Sequence, residues 1–459
     1  MTNYYCGQAN HRVLLFVGMA SIAVALQGCG GGDVEVASTT PDEVSATPMG
    51  TVVSSALYQS PVQIRTRYGF DKLPGTPEGK GSGQLIAIIS AYNNPDLIAN
   101  VGAFSARYGI PNCVEVKTAY SRATDNSYTT ATVSHPAAGV GCTIQVVNVD
   151  SFGRPTTTVA ASNSASWNAE SSMDAEWAHA IAPGASILIV QAPSPFVGAL
   201  ANAVNYASKV AKADVVSISW GAAENSVQCT RRPGQPTVKY DASCSDAATA
   251  SAYWNNWNAM FSGPSTYVAA SGDRATLQWP SIQNNVLAVG GTVVSSTTET
   301  GWTGSGGGLS ASYASTPAQQ LVTKQVQRAV PDVAYDAGTL IAVYIKPNSL
   351  TGYADATCVK ANGVANCGWY GAGGTSAGAP QWAGIAAINN ATRIAKRASS
   401  INFMNTIYTI AAIPADYMTA FVDIVSGAAG SNTSKVGYDL VTGLGVPDTS
   451  VLISYLSLQ

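Results

Sequence analysis

Residues Ala185 to Trp220 read ASILIVQAPSPFVGALANAVNYASKVAKADVVSISW. The first and last eight residues are short runs rich in Ile, Val and Leu, the pattern of strands buried on both faces. Between them, from Pro195 to Ala211, apolar residues recur at three and four, the spacing of an amphipathic helix. Strand, helix, strand in that order predicts a right-handed parallel crossover, and hence an α/β sandwich with helices on both faces of a mostly parallel sheet. Three more runs extend that sheet: QLIAIIS from Gln84, STYVAAS from Ser265 and NNVLAVGG from Asn284. In such folds the functional residues gather at the carboxyl ends of the strands.

Charged residues make up 11% of the 459-residue chain and the formal net charge is −3. That balance excludes the basic footprint of a nucleic-acid binder and strong attraction to acidic membranes. Arg12 precedes an apolar run, Val13 to Leu26, that ends in LQGCGGG. The run is too short for a permanent span, so residues 1–28 are expected to be a cleaved export signal. Leu26-Gln27-Gly28-Cys29 resembles a bacterial lipobox, which implies acylation of Cys29 as the one membrane attachment and a place in the cell envelope; plain secretion is the competing expectation. Residues 29–54 have the composition of a flexible tether, and 55–459 read as one continuous domain, expected to be monomeric.

Beyond Cys6 and Cys29, six cysteines remain, an even number in an exported chain. Fifteen connectivities are open, of which the sequence-local one, 113–142, 229–244 and 358–367, is favoured.

Gly373-Gly374-Thr375-Ser376-Ala377-Gly378-Ala379-Pro380 stands before a helical segment, QWAGIAAINNATRIA. Its small neighbours leave the Ser376 hydroxyl reachable, and the helix start aims backbone N–H groups at it; the plainer role of such a serine is a helix cap. A nucleophilic serine needs a base, ordinarily histidine, and the chain has three. His11 leaves with the signal, and His135 sits in a polar loop. His179 lies in a helical stretch that also holds Glu170, Asp174 and Glu176. At ~100° per residue Glu170 and Asp174 share one helix face, about 40° apart, while His179 lies roughly 180° from Glu170. Two carboxylates in contact share a proton, so that one accepts and returns protons in acid; a solvated acidic face is the plainer alternative. Asp273 follows the run TYVAA, where a protonated carboxyl is able to donate to an oxyanion and a turn-forming Asp is the alternative.

Together these segments resemble the sedolisin family, the serine-carboxyl peptidases with a subtilisin-like fold, in order from about Ser55 to the C-terminus. GGTSAGAP is similar to the family's nucleophile motif. ESSMDAEWAHAIAPGASI is similar to its ExxxD helix and the segment that follows. VSISWG and AASGD are similar to its two cleft strands, and LAVGGT, SGGGLS and PDVAYDA to later landmarks. The resemblance implies a three-layer α/β sandwich and an exported endopeptidase acting on proteins or peptides, at acidic pH, through an acyl-enzyme. It assigns Ser376 as nucleophile, Glu170 as base, Asp174 as its orienter and Asp273 as oxyanion partner. FVDIVSG and VGYDLVTGLGVP resemble the family's calcium segment, which implies one structural Ca²⁺ on the carboxylates of Asp423 and Asp439 and the carbonyls of Ile424, Lys435 and Gly437. Oxygen-only ligands suit that hard cation.

The chain departs from the pattern in its short calcium loop with Lys435 in place of Gly. Ser90 stands where some members carry a Glu, and no long prodomain is expected. A His179-dependent hydrolase and a catalytically silent, lipid-anchored binding protein or adhesin are the competing expectations.

Overall fold

A computed structural model describes residues 44–459 apart from 54–57, 123–128, 159, 161–163, 227, 231–238, 245–246, 347–359, 362–363 and 366–367. The elements that position the site are, in chain order, β1 (Thr47–Pro48), β2 (Thr51–Val53), β3 (Leu85–Ala91), α1 (Leu97–Tyr108), β4 (Val114–Val116), β5 (Thr143–Asn148), α2 (Ala165–Ile181), β6 (Ser186–Ala192), α3 (Val197–Asn205), β7 (Val215–Ile218), β8 (Trp220–Ala223), β9 (Thr266–Ala270), β10 (Val286–Val294), β11 (Glu299–Gly301), β12 (Val333–Asp336), β13 (Ile341–Tyr344), β14 (Trp369–Gly373) and α4 (Gly378–Ala395).

Among the described residues, nine strands form the central sheet in the order β11-β10-β9-β7-β3-β6-β5-β4, with β12 also pairing with β10. Every pairing is parallel except β10 with β11. β3 is flanked by β6 on one side, Leu85 opposite Ser186, and by β7 on the other, Ile86 opposite Val215. The β6–α3–β7 connection therefore passes over β3, and the order of strands reverses there, the place where open α/β sheets build their sites. α3 ends in one wider, π-type turn over Tyr206–Val210.

Strand residues alternate between two cores. Ile86, Ile88, Ile187 and Ile189 face α2 and α4, packing with Trp177, Ile181, Trp382 and Ile385. Leu85, Ala87, Ile89, Leu188 and Val190 face α3, packing with Leu200 and Val204. The result is helix, sheet, helix, the three-layer α/β sandwich expected from the sequence.

α2 starts at Ser164, whose hydroxyl accepts the Trp167 N–H, a capping bond that satisfies one orphan donor of the first turn. It is buried from Trp167 to Ile181. A helix buried all round is normally apolar, yet this one carries Glu170, Asp174, Glu176 and His179. α4 crosses it closely: a Cβ on Gly384 would lie 2.6 Å from Ile181 Cγ2.

Cys113 and Cys142 form a disulfide, as expected. Cys229 and Cys244 are register partners in a two-stranded hairpin. The pair 358–367, Cys6, Cys29 and the export signal lie outside the described residues. The expectation of a flexible tether over 29–54 needs correction at its end. Residues 44–53 are docked, with β1 paired to β8, β2 paired to β14, and Ala46 and Met49 buried. The Pro48 and Gly50 in this segment read as loose, but it also holds the β-branched Val44, Thr47, Thr51, Val52 and Val53, and the partner strands supply its backbone hydrogen bonds. Among the described residues no helix is long and apolar enough to cross a membrane.

Candidate active site

Ser376 sits in a single 3₁₀ turn, Thr375–Ala377, between β14 and α4. Gly374 before it has φ +109°, a conformation open to glycine, and a Cβ there would collide with the Asp273 carboxyl. The serine does not cap the helix. Its hydroxyl donates to the Ser219 carbonyl at 3.2 Å, just beyond β7.

Four titratable or nucleophilic groups from distant parts of the sequence meet here. Glu170 is buried, and its Oε2 accepts the Gly50 N–H at 2.8 Å while its Oε1 has no partner. Burial, then the Asp174 charge, pushes its pKa well up; the Ser376 hydroxyl and the Gly50 N–H pull it down, and Asp273 adds to the rise. The charges of Asp174 and Asp273 and the Ser376 hydroxyl therefore all act on one carboxyl. Asp174, one helical turn from Glu170, accepts the Ser219 hydroxyl at 2.6 Å. Burial raises its pKa too, against that hydrogen bond. The solvated-face alternative for this pair is overturned: Glu170 is 4% exposed and Asp174 1%.

Asp273 follows β9. Its Oδ1 accepts the backbone N–H and the hydroxyl of Thr375, each at 2.8 Å. Burial pushes its pKa up to about 7 against those bonds. The Thr375 hydroxyl also accepts the Gly272 N–H at 3.0 Å, so Asp273 is tied directly to the turn that carries Ser376.

Sequence reasoning missed Ser219 and Thr375. Ser219 reaches both Asp174 and Ser376, and its one signal was its place at the end of a predicted strand. Thr375 was visible only as a small residue beside the serine.

The other candidates lie elsewhere. His179 has its Nε2 at 2.9 Å from the Pro111 carbonyl and its Nδ1 at 3.5 Å from Cys113 Sγ. Burial lowers its pKa to about 4, and it points away from Glu170 as the helix arithmetic expects. His135 meets the Ala211 carbonyl at 2.8 Å. Glu176 accepts the Tyr344 N–H at 3.0 Å. Ser90 is buried in β3 with its hydroxyl on the Ala91 carbonyl at 3.3 Å.

Asp423 and Asp439 approach the same short loop. Asp423 Oδ2 accepts the Gly437 N–H at 2.7 Å, and its Oδ1 is buried without a partner. A bare carboxylate oxygen of that kind suits a cation. Asp439 accepts N–H groups of Lys435, Val441 and Thr442 and the Thr442 hydroxyl. The residues fit a hard cation at Asp423, with Asp439 exchanging some of its hydrogen bonds to join.

No family model matches the chain. A tripeptidyl-peptidase 1 of Dictyostelium discoideum is 33% identical over 187 residues, 39% of this chain and 29% of that protein. The chain thus spans under a third of that relative's length. Among solved structures, Pseudomonas sedolisin, described as a serine-carboxyl proteinase in complex with two molecules of pseudo-iodotyrostatin, superposes with a TM-score of 0.60. The identity is 19%, over 87% of this chain and 98% of that one. Fervidolysin of Fervidobacterium pennivorans, a keratinolytic enzyme related to subtilisin, matches with a TM-score of 0.47 and 13% identity, over 90% of this chain and 51% of that one.

Proposed function

We propose that this chain, a member of the sedolisin family with a subtilisin-like fold, is an exported serine-carboxyl endopeptidase active in acid. The observation that carries the reading is the convergence of Ser376, Glu170, Asp174 and Asp273, with both members of the carboxyl pair buried and raised in pKa. A buried carboxyl so tuned exchanges protons at a pH where an exposed one is fully ionised.

In the proposed reaction Ser376 Oγ attacks the scissile carbonyl and Glu170 takes its proton. Glu170 Oε1, buried and unpartnered, is the free acceptor. The hydroxyl reaches it by rotating away from the Ser219 carbonyl, a tightening that often accompanies substrate binding. Asp174, held by Ser219, orients Glu170 and keeps the shared proton. Asp273, neutral below about 7, donates to the oxyanion together with the Ser376 N–H. Glu170 returns its proton to the leaving amine, and water releases the acyl group.

The test is a pH series of protein hydrolysis combined with a peptide aldehyde. Ser376-dependent hydrolysis and reversible covalent labelling at low pH are expected. A folded chain with neither would leave the silent binding protein as the better account.

We also propose one Ca²⁺, held by Asp423 and Asp439 with the carbonyls of Ile424, Lys435 and Gly437; when bound it supplies fixed positive charge that pins the loop, and it takes no part in the steps above. Chelation is expected to lower Tm in a calorimetric melt, and calcium to restore it.

A further inference from the structure

The segment 44–53 of this chain runs through the cleft just described. Its first part is bound as an added strand: Val197 N–H donates to the Val44 carbonyl at 2.9 Å and Ala46 N–H to the Pro195 carbonyl at 2.8 Å. Thr47 pairs with Gly221, Pro48 with Trp220, and Met49 N–H donates to the Ser219 carbonyl at 3.1 Å. Its second part pairs with the strand that leads into the nucleophile, Thr51 opposite Gly373 and Val53 opposite Gly371. The Met49–Gly50 peptide bond is the joint between the two.

The groups around that bond are arranged in reaction order. Its nitrogen donates to Glu170 Oε2 at 2.8 Å, the carboxyl that would protonate a leaving amine. Its carbonyl oxygen lies beside the Asp273 carboxyl, since a Cβ on Gly374 would collide with both. The Ser219 carbonyl that receives the Met49 N–H also receives the Ser376 hydroxyl. The flanking side chains fit in the same sense. Met49 is buried, with its methyl where a Cβ on Gly221 would stand, and a Cβ on Gly50 would lie 2.7 Å from Glu170 Oε2 and 2.9 Å from Met173 Cε. A long unbranched apolar residue is accepted before the bond and glycine is favoured after it, where any larger residue has to displace the ends of the Glu170 and Met173 side chains.

We infer that Met49–Gly50 is cut by the chain itself, intramolecularly, and that the cleft selects Met-Gly-like bonds in other peptides. This rests on the peptidase reading above. Ser376 Oγ adds to the Met49 carbonyl carbon, Glu170 carries the serine proton to the Gly50 nitrogen, and the C–N bond breaks. One water then yields a Met49 carboxylate and free Ser376. The cut divides the expected anchor from the peptidase-like remainder; before it, the segment blocks the cleft against other substrates.

The test follows the full-length chain by intact mass and N-terminal sequencing at pH 4, over a range of protein concentrations, with hydrolysis of casein measured in parallel. A new N-terminus at Gly50, formed at a concentration-independent rate and absent from Ser376→Ala, is expected. Gly50→Val is expected to slow the cut roughly 100-fold, the scale of a ~1 Å misplacement, and Gly50→Ala to slow it less, with unchanged circular dichroism. Casein hydrolysis by a chain still joined at Met49–Gly50, a concentration-dependent rate, a cut elsewhere, or a Gly50→Val chain cut at the ordinary rate would each overturn the inference while leaving the peptidase reading intact. Loss of casein hydrolysis and of aldehyde labelling together would instead overturn the reading beneath it.

Discussion

Glu170 carries two jobs on two oxygens: one holds an incoming N–H and the other stands free. Glu170→Gln keeps the shape and removes the proton exchange, so kcat/KM is expected to fall by about 10²–10⁴ with KM little changed, read by steady-state kinetics at acid pH. Asp273 plays a different part. Its pKa of about 7, set by burial, predicts that activity declines as pH rises through neutrality, when the carboxyl ionises and can no longer donate. Asp273→Asn keeps a donor that does not titrate. A loss at pH 4 smaller than the roughly 10²-fold that outright removal of an oxyanion donor costs, and disappearance of the Asp273 contribution to the alkaline decline, are expected from a pH–rate profile.

At the scale of elements, α2 and α4 define the site by their closeness. Gly384→Val would force a branched side chain into Ile181, and thermal unfolding is expected to show a loss of about 1–3 kcal/mol together with reduced kcat as Glu170 shifts from the nucleophile turn. The four-residue spacing of Glu170 and Asp174 was legible, because helical geometry is local and periodic, and so was the displacement of His179. The buried strands were legible for the same reason. What escaped was everything decided between elements. Ser219 bridges Asp174 and Ser376 only because β7 ends between α2 and the turn before α4, and no local pattern encodes that meeting. Residues 44–53 read as tether because they continue the Gly-, Thr- and Pro-bearing stretch before them and because Pro48 and Gly50 interrupt their β-branched residues; their pairing with β8 and β14 is decided between elements.

Over the whole molecule, burial of carboxyls sets how stability depends on pH. Asp273 titrates at about 7 and Asp336, chiefly through burial, at about 8; Glu170 and Asp174 are raised as well. In the unfolded chain such groups titrate near ~4, so the folded form binds protons more tightly. Their contribution is whole below about 4 and is lost as pH rises through 7 to 8. His179, whose pKa burial lowers to about 4, acts in the opposite sense between about 6.5 and 4. Melts of Ser376→Ala, which cannot digest itself, are therefore expected to show Tm falling from about pH 6.5 toward pH 8, with the acid side flattened. A Tm flat across that window would contradict the assigned burial.

The positions that meet at the cleft, Gly50, Glu170, Ser219, Asp273 and Ser376, are strung along most of the polypeptide. Loop-closure entropy makes contacts of such sequence separation late events in folding. If the proposed activity holds, a chain emerging from a ribosome has no bond-cutting power until nearly all of it is made and collapsed. On the proposed reading the order of assembly is itself a safeguard, keeping the Ser376 hydroxyl inert while the chain is being made.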